Sequence, residues 1–168
     1  SFIYSSARER GLDRLLDMWP KIKLVIPEAT LDVFGPGYDR DQHPGLDLAG
    51  VSFRGSVAPQ ELHSWQQRSE YWLHPTNYEE TYCVTALEAQ YAGCIPITTN
   101  LAALGEVVAD RGFLMQDGET DEAFVNIIRV IHRSSEIKSK LRKKAYEWAK
   151  QQTWNIRIRE WQKIIEQR

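Results

Sequence analysis

With 168 residues, the chain is long enough for a single domain with a full hydrophobic core. Its shares of hydrophobic residues, 42%, and charged residues, 26%, are those of a soluble globular protein, and a net charge of −2 gives no reason to expect nucleic acid. No stretch approaches the ~20 apolar residues of a membrane span and no signal peptide opens the chain, so membrane contact is at most peripheral. The two cysteines, Cys83 and Cys94, have no CxxC or metal-ligand spacing, which fits reduced thiols and a cytoplasmic setting. The chain opens directly in a strand without Met, and a fragment or excised domain is expected.

In chain order, Phe2-Ile3-Tyr4 reads as a short apolar strand, followed by a turn over 5–11. Leu12, Leu15, Leu16 and Trp19 then recur at helical spacing, and this helix is expected to end near 25–27, with Pro20 as a place for a bend. Strands follow at 31–34 and 51–54. Between them lies the longest irregular stretch, which contains Asp39 and Asp41. Two close carboxylates suit a hard divalent cation, but a Gly-Pro-Gly loop without a preceding apolar strand reads as a solvated connection, and no metal is expected there. A helix around 60–67 leads to Tyr71-Trp72-Leu73-His74, an apolar strand stopped by Pro75. A helix begins near Tyr82, with Val84, Leu87 and Tyr91 on one face. Strands at 95–98 and 112–115 come next, and everything from Asp121 onward reads as helical. Within 134–152, six Lys and Arg flank a narrow stripe of Ile137, Leu141, Ala145 and Trp148, which fits a surface helix better than a membrane-lying one. The last helix carries Trp154, Ile158, Trp161 and Ile165 near one face. Alternating strands and helices predict an α/β fold, a doubly wound and mostly parallel Rossmann-like sheet, with ligands at the carboxyl ends of its strands.

The stretch from His74 to Ala89 organises the rest. A strand that feeds a short loop and then a helix points free N–H groups and the positive end of the helix dipole at one spot, an anion site. Glu80 and Glu88 frame it. Two like charges ~4 Å apart repel by roughly 4 kcal/mol at an effective dielectric near 20, so both cannot face phosphate. They suit neutral hydroxyls, which donate strongly to a carboxylate. A nucleotide sugar, with a diphosphate between two hydroxyl-bearing rings, meets both demands. The plain alternative is that Glu88 complements the helix terminus and Glu80 is a solvated loop residue. His74 on its own reads as a structural histidine. The first βα turn has no GxGxxG, which excludes the ordinary NAD reading, and it offers arginines instead.

The same residues resemble a known family. Pro75-Thr76, Glu80-Thr81-Tyr82-Cys83 and Leu87-Glu88-Ala89-Gln90-Tyr91-Ala92-Gly93 are similar to the Glu-x7-Glu signature of family 4 retaining glycosyltransferases of group 1. That signature runs Pro-Ser, then Glu-Gly-Phe-Gly, then Leu-Glu-Ala-Met-Ala-x-Gly, in the C-terminal, donor-binding half of the GT-B fold. Asn100 through Val108 matches the family's small-residue loop and Glu-Val-Val helix. Thr81, Cys83, Ala102 and Ala103 stand where the family has glycines, so positive φ angles are not expected there. In the first turn the family's Lys before Gly falls on Arg10, before Gly11, and its Arg falls on Ser5, with Arg8 as a stand-in.

The resemblance implies that residues 1–168 form a nucleotide-sugar binding domain with 135–168 as terminal helices, and that an N-terminal acceptor domain lies outside this chain. It implies retaining transfer of a glycosyl group from a nucleoside-diphosphate sugar, without a metal or other cofactor, to an unknown acceptor. Arg10 and the helix start at Val84 and Thr85 would meet the diphosphate. Glu80 would hold sugar hydroxyls as the catalytic carboxylate, and Glu88 the ribose. Ser6, Thr81, Tyr82 and Cys83 would complete the binding loops, with Val57 packing on the base. The other readings are a nucleotide-binding module that transfers nothing and a nucleotide-sugar epimerase on the same two-domain plan.

Overall fold

The computed structural model describes residues 1–37, 47–116 and 119–167; Asp39, Asp41 and His43 lie outside the described residues. Six strands form one parallel sheet: β1 (Phe2–Ser5), β2 (Leu31–Phe34), β3 (Val51–Gly55), β4 (Tyr71–His74), β5 (Ile95–Thr99) and β6 (Phe113–Met115). Their spatial order is β3-β2-β1-β4-β5-β6. Chain order therefore reverses between β1 and β4, where Ile3 pairs with Trp72 on one side and Asp32 on the other. Loops leaving two neighbouring strands at such a switch point diverge and open a crevice beyond their carboxyl ends. The expected doubly wound sheet is the one observed.

Among the described residues there are seven α-helices, of which the first six carry buried residues: α1 (Leu12–Val25), α2 (Pro59–Arg68), α3 (Val84–Ala92), α4 (Leu104–Val108), α5 (Asp121–Arg133), α6 (Ser135–Ala149) and α7 (Trp154–Glu166). Parallel strands buried on both faces need continuous apolar runs, and β1, β4 and β5 supply them without an exposed position. On one face Phe2, Tyr4, Tyr71 and Leu73 meet Leu15, Leu16 and Trp19 of α1 and Phe124, Ile128 and Ile131 of α5. Trp19 is fully buried, contributing roughly 1.5–3 kcal/mol by burial, and its indole N–H donates to the Ala49 carbonyl at 2.8 Å. Helix α1 runs through Pro20 to Val25.

On the other face Ile3, Phe34 and Trp72 pack on Ala86 and Ala89 of α3 and on Leu104 and Val107 of α4. The expected facing of α3 is corrected here. Val84 and Tyr91 point outward, 58% and 48% exposed, and the buried face is Ala86, Ala89 and Gln90. Small side chains let the helix lie close to the sheet. Gln90 is accommodated because its amide donates to the Ala86 and Val107 carbonyls, at 3.1 and 2.9 Å. Helix α6 lays Ala145 inward, with Ile137, Leu141 and Trp148 half-buried, and its basic residues are largely engaged: Lys138 with Glu70, Lys144 with Asp110, Arg142 with the Gly93 carbonyl. Both cysteines are buried free thiols. Among the described residues no helix is long and apolar enough to cross a membrane.

Candidate functional site

The crevice at the switch point is built from two loops that touch. The turn after β1 ends at Gly11, whose φ is 110°, and a Cβ there would lie 2.5 Å from the Pro75 carbonyl oxygen. Only glycine permits both the angle and the approach. The turn is thereby docked on the loop after β4. That loop is fixed from behind: the hydroxyls of Thr98 and Thr99 each donate at 2.6 Å, to the carbonyls of His74 and Thr76, and the Tyr78 N–H donates to the Thr76 hydroxyl at 2.9 Å.

Docking brings two of the expected site residues into direct contact. Arg10 Nη1 donates to both oxygens of Glu80, at 2.8 and 2.9 Å. Its guanidinium lies 4.5 Å from the centre of the Tyr78 ring, a cation–π contact that holds the plane of the fork. The Arg10 side chain remains 33% exposed, whereas Glu80 is nearly covered, so the positive partner is the one that solvent reaches. Arg8, the stand-in for a second cation, is turned to Asp13, with Nη2 to Oδ1 at 3.0 Å. Behind Glu80 sits His74, fully buried, with Nε2 3.8 Å from Glu80 Oε1. Burial, and then the Arg10 charge, push its pKa down to about 3, so the imidazole stays neutral.

Helix α3 starts beside this pair. Its N-cap, Cys83, has φ 66° and ψ 73° and no capping side chain; the Ala86 and Leu87 N–H groups reach the Cys83 carbonyl, which leaves the Val84 and Thr85 amides at the open end of the helix. Ala102 is also left-handed, with φ 47°, and its neighbour Ala103 donates its N–H to the Glu80 carbonyl at 3.2 Å. The expectation of no positive φ at these positions is therefore corrected at Cys83 and Ala102. Surrounding contacts hold the backbone where glycine would sit freely, at a cost of order 1 kcal/mol each.

Beside the turn lie two cavities. One of about 270 Å3 is lined by Ser5, Ser6, Phe34, Gly55, Val57 and Leu62. The next, of about 370 Å3, shares Val57 and Leu62 and adds His63, Glu88 and Tyr91. Burial raises the Glu88 carboxyl and nearby His63 opposes the rise. Ser6 and Val57 thus line one cavity and Val57 and Glu88 the next, while Arg10, Glu80 and the α3 terminus meet where the loops after β1 and β4 touch. Thr81 is exposed, and the side chains of Tyr82 and Val84 turn away, into a groove under Trp154 and Trp161 of α7. What the two bring to the crevice is backbone.

Sequence reasoning did not single out Tyr78, His63 or Leu62. Tyr78 had no signal beyond its place in the loop, because a cation–π contact between positions 68 residues apart leaves no local pattern. It also missed a cavity of about 440 Å3 at the carboxyl ends of β4, β5 and β6, where Arg14, Asn77, Asn100 and Gln116 converge.

The family profile described as glycosyl transferases group 1 matches residues 2–133, most of the chain and all of this crevice. The chain belongs to that family. A phosphatidyl-myo-inositol mannosyltransferase of Propionibacterium freudenreichii is 27% identical over 101 residues, 60% of this chain and 25% of that protein. A glycogen synthase of Mycobacterium tuberculosis is 29% identical over 105 residues, again 60% of this chain and 25% of the other. The chain thus matches about a quarter of the length of these relatives. Among solved structures, the Anabaena protein Alr3699/HepE in complex with UDP and glucose superposes with a TM-score of 0.79 at 20% identity, covering 99% of this chain and 47% of that one. That likeness shows the fold, one half of the two-domain GT-B architecture.

Proposed function

We propose that this chain is the donor-binding part of a group 1 glycosyltransferase, which takes a glycosyl group from a nucleoside-diphosphate sugar with retention at the reacting carbon. The observation that carries it is the corner where Arg10, Glu80 and the left-handed start of α3 meet at the switch point. The base and ribose lie along the wall from Ser6 through Val57 to Glu88, whose carboxylate accepts from ribose hydroxyls. The diphosphate lies over the amides of Val84 and Thr85, with the Arg10 fork on its oxygens; guanidinium matches phosphate geometry and meets the charge that develops as the diphosphate leaves. No metal cofactor is assigned to this step. Glu80 then turns its freed oxygens to the sugar hydroxyls. Before the donor arrives, Arg10 and Glu80 satisfy each other, which keeps a nearly buried carboxylate from standing unpaired.

The acceptor is held by a second domain beyond this chain, and the isolated chain transfers nothing. A membrane surface is met at most peripherally, and the setting is the cytoplasm. The left-handed backbone at Cys83 and Ala102 keeps the shape that glycines would give, which favours this reading over a module that only binds nucleotide. The test is Arg10→Ala. Calorimetry is expected to show diphosphate affinity weakened by ~1.5–3 kcal/mol, the range for hydrogen bonds to charged groups, with binding of the bare nucleoside unchanged. Equal losses for both ligands would mean a folding defect and sink the phosphate assignment.

A further inference from the structure

His74, Glu80 and Cys83 converge at the carboxyl end of β4, and the donor reading employs only the carboxylate and the Cys83 backbone. The three side chains offer an imidazole nitrogen, a carboxylate oxygen and a sulfur that all lie within 4.8 Å of one another, and all three are buried. His74 is the decisive member. It is fully buried, and among the described residues neither Nδ1 nor Nε2 has a hydrogen-bond partner. A buried polar group left unsatisfied is costly, so an imidazole idle at both nitrogens is one for which the protein supplies too little. Its ring is set by stacking on Trp72, with centroids 4.7 Å apart, and by the tilted Tyr4 ring at 5.9 Å. The separation of 3.8 Å between Nε2 and Glu80 Oε1 is within about 0.5 Å of the N–O edge of a tetrahedron with bonds of ~2.0–2.2 Å, roughly 3.3–3.5 Å.

We propose that His74, Glu80 and Cys83 form a site for a thiophilic divalent cation of the zinc class. Nitrogen, oxygen and sulfur together are the zinc donor set, whereas magnesium and calcium take oxygen ligands. Three protein ligands leave the fourth position to water. On binding, bonds form from the metal to Nε2, Oε1 and Sγ, and the Cys83 thiol gives its proton to solvent. His74 is already neutral, and no electrons move. In the free protein Arg10 keeps Oε2, which it holds at 2.9 Å, and an arriving diphosphate draws it away. The ion takes Oε1 from the sugar hydroxyls, so it inhibits transfer while diphosphate binding persists. That consequence rests on the proposed function; the site itself does not.

The test is a titration of the chain with Cd2+, read by the ultraviolet sulfur-to-cadmium charge-transfer band, and with Zn2+ by calorimetry, with Mg2+ as control. One Cd2+ per chain with the band is expected, Zn2+ is expected to bind at the same stoichiometry, and Mg2+ is expected to give nothing. Cys83→Gly suits the left-handed backbone, so it keeps the fold; it is expected to abolish the band and lower Zn2+ affinity at least tenfold, and His74→Gln to lower it at least tenfold with the thermal transition retained. Cys94 does not substitute, since it is buried and donates to the Gln66 carbonyl at 3.0 Å. The absence of a band in the unmodified chain would overturn the site, as would a band that survives Cys83→Gly. Nucleoside-diphosphate binding measured on the same samples reports on the donor reading separately.

Discussion

Arg10 and Gly11 show how much two adjacent residues settle. The glycine permits the first turn to touch the loop after β4, and that contact is what puts the arginine on Glu80. Gly11→Ala would drive a Cβ to 2.5 Å from a backbone carbonyl at a positive φ, so a loss of more than ~2 kcal/mol is expected in urea unfolding. At Ala102 the balance is different. Glycine there relieves left-handed strain but adds freedom to the unfolded chain, and the two effects are each about 1 kcal/mol. Ala102→Gly is therefore expected to change stability by less than ~1 kcal/mol. A neutral Gly11→Ala would remove the docking argument.

At the scale of elements, the strands were legible because β1, β4 and β5 are buried on both faces and read as unbroken apolar runs. Helix α1 was legible from Leu12, Leu15, Leu16 and Trp19, all of which are buried. Helix α3 was legible in position and not in facing. Its buried side is built from Ala86, Ala89 and Gln90, which carry little hydrophobic signal, while Val84 and Leu87 line the outer groove. The backbone at Cys83 and Ala102 was not legible either, because residue type argues against a left-handed turn that only long-range contacts can hold. Glu80 and Arg10 could be named from their loops, but their mutual ion pair joins positions 70 residues apart.

The α3–β5 junction offers a check on packing. Burial pushes the Cys94 thiol up to about 12, from an ordinary value of 9.0, and pushes the Tyr71 hydroxyl up as well. Above pH 9 the unfolded chain sheds the Cys94 proton that the folded chain retains. Stability present below pH 9 is therefore lost as the pH rises toward 12, by up to ~1.4 kcal/mol per pH unit. Chemical unfolding at pH 8.5 and pH 10 measures this; Cys94→Ala is expected to flatten the slope, and an equal slope in that variant would contradict the burial argument.

Over the whole molecule, the apolar surface is unevenly placed. Helix α7 has no buried residue, and Trp154, Trp161 and Ile165 are 83%, 65% and 66% exposed. With Tyr82 and Val84 the two tryptophans border a groove of about 350 Å3. Contiguous exposed aromatics of this kind tend to find a partner. Sedimentation at high concentration is expected to show weak self-association, reduced by Trp161→Glu; a strict monomer would contradict it. The donor reading needs none of this. It needs a crevice, at the switch point of the sheet, that takes a diphosphate with a base attached. The most direct measurement is the thermal transition of the chain with uridine, guanosine and adenosine diphosphates. One of them, at ~100 times its dissociation constant, is expected to stabilise the fold by about 2.7 kcal/mol. If none raises the transition at millimolar concentration, the crevice between Arg10 and the start of α3 is not a donor site.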